Sequence, residues 1–78
     1  MDDKIVYQFS RNDGEQIMFS IRQYKDKRYL DIRMFYQPKP DEQYRPTKKG
    51  ITIPLELTDE MANGIKRVQA VSKTGGLK

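Results

Sequence analysis

The chain has 78 residues, with neither cysteine nor histidine and a net charge of +4. A domain this small buries only about 60% of the surface its unfolded chain exposes, and without cysteine no disulfide or thiolate metal site can reinforce it. The missing histidine removes the commonest general base, the usual zinc ligand and every Ser-His or Cys-His nucleophile pair, so the composition points to a binding protein, not an enzyme, with no cofactor and no metal.

Ile5, Tyr7 and Phe9 alternate with Val6 and Gln8, the period-two pattern of a strand over about residues 4–10. Arg11-Asn12-Asp13-Gly14 follows with turn chemistry, since Asn, Asp and Gly tolerate positive φ. Two further alternating runs cover residues 15–24 and about 27–37, separated only by Lys25-Asp26. A two-residue gap is the length of a tight hairpin loop, although Lys-Asp is not the preferred Asn-Gly type, and Asp26 can occupy a left-handed conformation at some cost.

That loop length fixes a register. If Tyr24 faces Lys27, one face carries Ile21/Leu30, Phe19/Ile32 and Ile17/Met34, all apolar. The other carries Tyr24/Lys27, Arg22/Tyr29, Ser20/Asp31, Met18/Arg33 and Gln16/Phe35. A one-residue slip would mix the two sets. The first face is the expected core; the second is basic and aromatic.

Gln37 to Gln43 contains Pro38 and Pro40 and reads as a mobile connection. A fourth strand is expected over about residues 49–54, with Ile51, Ile53 and Leu55 in inward-facing alternation and Pro54 ending it or lying at an edge. Thr58 reads as the N-cap of a helix over about 58–72, with Asp59 and Glu60 in the first turn where the dipole favours anions. Leu57, Met61, Ile65, Val68 and Val71 form one apolar stripe, Gly75 is expected to stop the helix, and the ends (1–3 and 73–78) to fray.

The sum is a single α+β domain of order β-β-β-β-α. One short helix covers only part of the apolar face, and small cores without disulfides or metals commonly need oligomerisation. The expected assembly is a homodimer through the helix and the sheet edge, with Met61, Gly64, Ile65 and Val68 at the contact. No apolar run reaches the roughly 18–20 residues of a membrane helix, and the first residues lack the pattern of a signal peptide. An intracellular protein without a membrane partner is therefore expected, in the cytoplasm or nucleoid if bacterial.

The basic residues are unevenly spread. Nine of them and only four acids lie between Arg22 and Lys49, whereas the rest of the chain is slightly acidic. Single-stranded nucleic acid needs cations to follow its phosphates and rings on which bases stack. Tyr24, Tyr29, Phe35 and Tyr36 supply rings; Arg22, Lys25, Lys27, Arg33, Arg45, Lys48 and Lys49 supply charge. A solvated face has the same composition, because strands favour aromatics and exposed antiparallel faces carry charge. So does a surface for an acidic protein partner, and stacking with phosphate contact does not separate DNA from RNA.

Ile21-Arg22-Gln23-Tyr24-Lys25-Asp26-Lys27, then Leu30-Asp31-Ile32-Arg33, Phe35-Tyr36 and Pro46-Thr47-Lys48-Lys49-Gly50-Ile51-Thr52-Ile53 together resemble the DNA-binding domain of the transcriptional coactivator positive cofactor four, over roughly Met18 to Ile53. The resemblance implies a curved four-stranded antiparallel sheet with a C-terminal helix, dimerisation through the helices, and sequence-independent binding of single-stranded DNA in transcription, replication or repair. It implies base stacking at Tyr24 and Tyr36 and phosphate contact at Arg22, Lys25, Lys27, Arg33 and Lys49, with Arg45 and Lys48 as near matches; Tyr29 is added by the register. Pro46-Thr47 stands where the family has Pro-Gly. The alternatives that stay open are single-stranded RNA and an acidic partner from the transcription machinery.

Overall fold

The computed structural model of the chain describes residues 4–73. Of the ends expected to fray, 1–3 and 74–78 lie outside these residues, as does Gly75 with its expected stop signal, whereas Lys73 is helical. Strands β1 (Lys4–Asn12), β2 (Glu15–Tyr24), β3 (Lys27–Tyr36) and β4 (Arg45–Pro54) precede a 3-10 turn at Leu55–Leu57 and helix α1 (Thr58–Lys73). The strands form one open, curled antiparallel sheet in the order β1-β2-β3-β4. The architecture is the expected β-β-β-β-α.

The β2–β3 hairpin has the register its two-residue loop dictates, from Tyr24 opposite Lys27 to Glu15 opposite Tyr36 without interruption. The left-handed residue of that loop is Lys25, at φ 57°, and not Asp26. A two-residue turn with positive φ at its first central position matches the twist of the flanking strands, so position in the turn outweighs Asp26's greater tolerance. In the β1–β2 turn Gly14 takes φ 77°, where glycine pays no steric penalty.

β4 begins at Arg45, four residues before the expected start. Tyr36 pairs with Arg45 and Phe35 with Pro46, after which the ladder resumes at Arg33 opposite Gly50. Thr47, Lys48 and Lys49 therefore face Met34 alone, as a bulge. Gly50 restores the pairing because a Cβ there would lie 2.6 Å from the Ile32 carbonyl oxygen and 2.9 Å from Arg33 Cα. Pro54 ends β4 on a sheet edge, where its missing N–H costs no ladder bond. The Gln37–Gln43 connection, expected to be mobile, is tied down: Gln37 N–H donates to Gly14 O at 2.8 Å, its side-chain amide donates to Glu42 O at 2.7 Å, and Glu42 N–H donates to Lys39 O.

Leu55 belongs to the 3-10 turn and not to the strand, and Thr58 already has helical dihedrals (φ −64°, ψ −31°) instead of an N-cap's extended ones. The chain turns helical one turn early because Pro54 supplies the extended entry at φ −56°, ψ 139°.

The core differs from its expected place. Of the apolar set on β2 and β3 only Met34 is buried; Ile17, Phe19, Ile21, Leu30 and Ile32 are half-buried. The cause is the helix. α1 joins the sheet through the 3-10 turn, which rests on β3, and none of its own residues is buried. The molecule is only 18 Å across its thinnest direction, the depth of a sheet without a full second layer. On the apolar face Tyr7, Phe9 and Phe19 pack their rings with centroids 5.8–6.3 Å apart. The opposite face holds the other buried residues, Met18, Ser20 and Asp31. Bulges in β1 and β4 strengthen local twist, and the curl closes the middle of that face. Among the described residues, no helix is long and apolar enough to cross a membrane.

Candidate nucleic-acid interface

Around the β2–β3 turn, period-two alternation sends Arg22, Tyr24, Lys27 and Tyr29 to one face. A cleft of about 270 Å³ lies there, lined by Arg22, Gln23, Tyr24, Tyr29 and Thr52. Lys25 sits on the turn with its Nζ 5.4 Å from the centre of the Tyr24 ring, within cation–π range. A second cleft of about 220 Å³ adjoins the first through Arg22 and is lined by Ser20, Asp31, Arg33, Phe35 and Pro46. The two make a short groove along the curled face, open at a tyrosine and walled by cations.

An acid forms the floor of this groove. Asp31 is 3% exposed, and Arg33 grips it with two parallel bonds, Nε to Oδ2 at 3.1 Å and Nη2 to Oδ1 at 2.9 Å. Thr52 Oγ1 donates to the same Oδ1 at 2.5 Å. Burial pulls the Asp31 pKa up, but the hydrogen bonds from Arg33 and Thr52 and the charges of Arg33 and Arg22 outweigh it, holding the carboxyl below its ordinary value. The same bonds raise the Arg33 guanidinium further. Arg33 also donates from Nη1 to Thr47 O at 3.0 Å. Expected to face phosphate, it turns its donors inward because a buried carboxylate needs a partner more than solvent does.

A second group lies at the other end of the sheet. Tyr36 and Arg45 are cross-strand partners, but alternation along β3 places Tyr36 on the opposite face from Tyr29 and Arg33. Lys48 and Lys49 are exposed in the bulge beside them, and Lys49 borders a cleft of about 280 Å³ with Ile17, Ile32, Met34 and Ile51. Arg45 pairs with Glu42 at 3.1 Å on the surface, a contact of small energetic weight. The two tyrosines that the resemblance casts as base platforms thus occupy opposite faces and opposite ends of one hairpin, each with basic residues nearby.

Residues 11–63, more than half of the chain, match the family model described as Transcriptional Coactivator p15 (PC4). The chain belongs to this family. A solved PC4 homolog from Burkholderia pseudomallei K96243, BPSL1147, superposes with a TM-score of 0.79 in its tetragonal crystal form, at 25% identity over 87% of this chain and 98% of that one. Its orthorhombic form gives 0.77 at 27% identity over 85% and 88%. The bacteriophage T5 homolog of PC4, implicated in recombination-dependent DNA replication, shares the fold with a TM-score of 0.63 at 21% identity, over 96% of this chain and 83% of that one. No curated protein matches the chain.

Within this PC4-type domain, the residues named for a dimer contact lie on α1: Met61 is half-buried, Ile65 is 49% and Val68 62% exposed, and a Cβ on Gly64 would meet nothing within 4 Å. Thr47 and Thr52 escaped the sequence reading. The Ser20/Asp31 pair pointed to a polar centre on the basic face, but finding Thr52 beside it required the β4 register, which the bulge shifts. The threonine at the Pro-Gly position was the available signal for Thr47.

Proposed function

We propose that this chain is a sequence-independent, homodimeric single-stranded DNA-binding protein of the PC4 family, acting inside the cell in transcription, replication or repair by binding and not by catalysis. The observation that carries the reading is the groove on the curled face, with Arg22 shared between a Tyr24–Tyr29 cleft and a Phe35 cleft. Tyr24, 58% exposed, and Tyr36, 39% exposed, are the base platforms. Arg22, Lys25, Lys27, Arg45, Lys48 and Lys49 neutralise phosphates. The helix stripe of half-buried Met61 and exposed Gly64, Ile65 and Val68 is where a second copy covers the half-buried apolar face.

The test is fluorescence anisotropy with a labelled oligo-dT of about 20 nucleotides, longer than a single binding fold commonly occupies, titrated at several salt concentrations. Binding that weakens with salt and resists duplex competition is expected; absence of binding at micromolar protein and low salt overturns the reading, and stronger competition by RNA reassigns the ligand. Tyr24→Ala and Tyr36→Ala are each expected to weaken binding by about 1–3 kcal/mol with little change in salt dependence. Sedimentation equilibrium tests the dimer, and a monomer at micromolar concentration would refute it.

A further inference from the structure

We infer that Thr47, backed by Arg33, is a positioning residue that holds the Lys48–Lys49 bulge as a preformed phosphate clip; the inference rests on the single-strand reading above. The difficulty at this place is one of backbone geometry. Thr47, Lys48 and Lys49 oppose Met34 alone, so the β-ladder cannot fix all three. Side chains make up the deficit. Thr47 Oγ1 donates to Met34 O at 2.7 Å and accepts from Lys49 N–H at 3.1 Å, replacing a missing rung and folding the bulge back on itself. Thr47's carbonyl accepts from Arg33 Nη1, and Arg33 is itself locked by its paired bonds to the buried Asp31. The chain of bonds runs from the floor of the groove to the backbone of Lys49.

This arrangement has a consequence for binding. A lysine loses rotamer freedom when it is fixed, and a disordered bulge would add backbone ordering to that cost. With the bulge backbone held beforehand, a phosphate has only the lysine side chains to order. Thr47 carries no charge and meets no phosphate in this scheme; its effect passes through Lys48 and Lys49. Arg33 contributes in the same indirect way.

The experiment reads the salt slope of oligo-dT binding. Single-strand affinity changes by about 0.7 log units per contacted phosphate per log unit of salt, so lost contacts register as a flatter slope, whereas lower stability alone shifts the melting temperature and leaves the slope. Thr47→Val, and Thr47→Ala in case valine disturbs folding, are expected to flatten the slope by at least about 0.7 without any change in protein charge. Thr47→Ser, which keeps the hydroxyl, is expected to retain the wild-type slope. In a Lys48→Ala/Lys49→Ala background the Thr47 substitutions are expected to change the slope no further. A wild-type slope in Thr47→Val and Thr47→Ala, a serine variant as impaired as alanine, or additive losses in the lysine-free background would each overturn the inference. Failure of the wild-type chain to bind oligo-dT would instead remove the single-strand reading, so the two failures are distinct.

Discussion

The two ends of the β2–β3 hairpin carry similar equipment and are built differently. At the turn end, Tyr24 stands with Arg22 and Lys27 in a regular ladder, and Lys25 sits on the turn that joins them. Their placement follows from strand periodicity once the two-residue loop sets the register. At the far end, Tyr36 stands with Arg45, Lys48 and Lys49, where β4 departs from the ladder. Their placement rests on particular atoms: the Thr47 hydroxyl, the Arg33 guanidinium and the missing side chain of Gly50. A cationic surface made by periodicity tolerates many substitutions, since each side chain is aimed by backbone that its neighbours also hold. One made by a bulge depends on a few contacts and offers, in return, a backbone that can be aimed out of the sheet plane.

Substitution at Gly50 breaks the comparison most severely. Gly50→Ala puts a Cβ against the Ile32 carbonyl and Arg33 Cα, all backbone that cannot yield cheaply. A loss of about 3 kcal/mol is expected, the upper part of the range for overpacking, measured by urea denaturation. At the turn end no glycine has this role. If Gly50→Ala proved neutral, the close β3–β4 approach would not be needed and the bulge end would be less constrained than its geometry states.

The next effect lies between the two ends, at Asp31. Its carboxyl is held below the ordinary value of 3.8, so the ionised form is favoured by folding. The stability this contributes is complete above pH 3.8 and is lost as the pH falls below that value toward the lower folded pKa. Asp31→Asn removes one partner of a pair in which Arg33 retains 19% side-chain exposure. A cost of about 2 kcal/mol at neutral pH is expected, under the 3–5 kcal/mol of a fully buried pair. The gap in melting temperature between wild type and variant should narrow below about pH 4, near the unperturbed carboxylate pKa. A gap unchanged down to pH 2 would mean that the charge of Asp31 is not what holds Arg33.

The same contrast explains what could be read in advance. The hairpin register, the polar turns and the basic-aromatic face were legible because period-two alternation and a short loop leave one consistent pairing. β4 was legible only from about Lys49 onward, leading into the alternation of Ile51 and Ile53; Arg45 to Lys48 has no alternating apolar side chains and contains Pro46, so no period marks it. The buried side was misjudged because apolar pattern states which face seeks cover, and α1 leaves Ile51 exposed and Ile17 and Ile32 only half-buried. Asp31 could be placed on the basic face but not recognised as buried, since burial there comes from curl and not from hydrophobicity. The tyrosines were grouped by composition; Tyr29 and Tyr36 fall on opposite faces as odd and even positions of β3, and the hairpin register puts Tyr24 on the face of Tyr29.

The smallest effect sharpens the comparison through a residue at which stability and binding oppose each other. Lys25 adopts φ 57°, a conformation that costs an L-residue roughly 1–2 kcal/mol, whereas glycine adopts it freely but loses more entropy on folding. Lys25→Gly should therefore stabilise the chain by about 0.5–1 kcal/mol, combining the two terms, a rise of a few degrees in a domain of this size. The same change removes the ammonium from beside the Tyr24 ring and flattens the salt slope by about 0.7 if that charge meets a phosphate. A hotter-melting, flatter-sloped variant means that the strained turn persists for the charge it presents. A hotter-melting variant with the wild-type slope would assign Lys25 to the solvated rim and leave Arg22 and Lys27 as the cations of this end. Thr47→Val at the bulge end should lower melting temperature and slope together, because there the contact that stabilises the backbone is also the one that aims the charge.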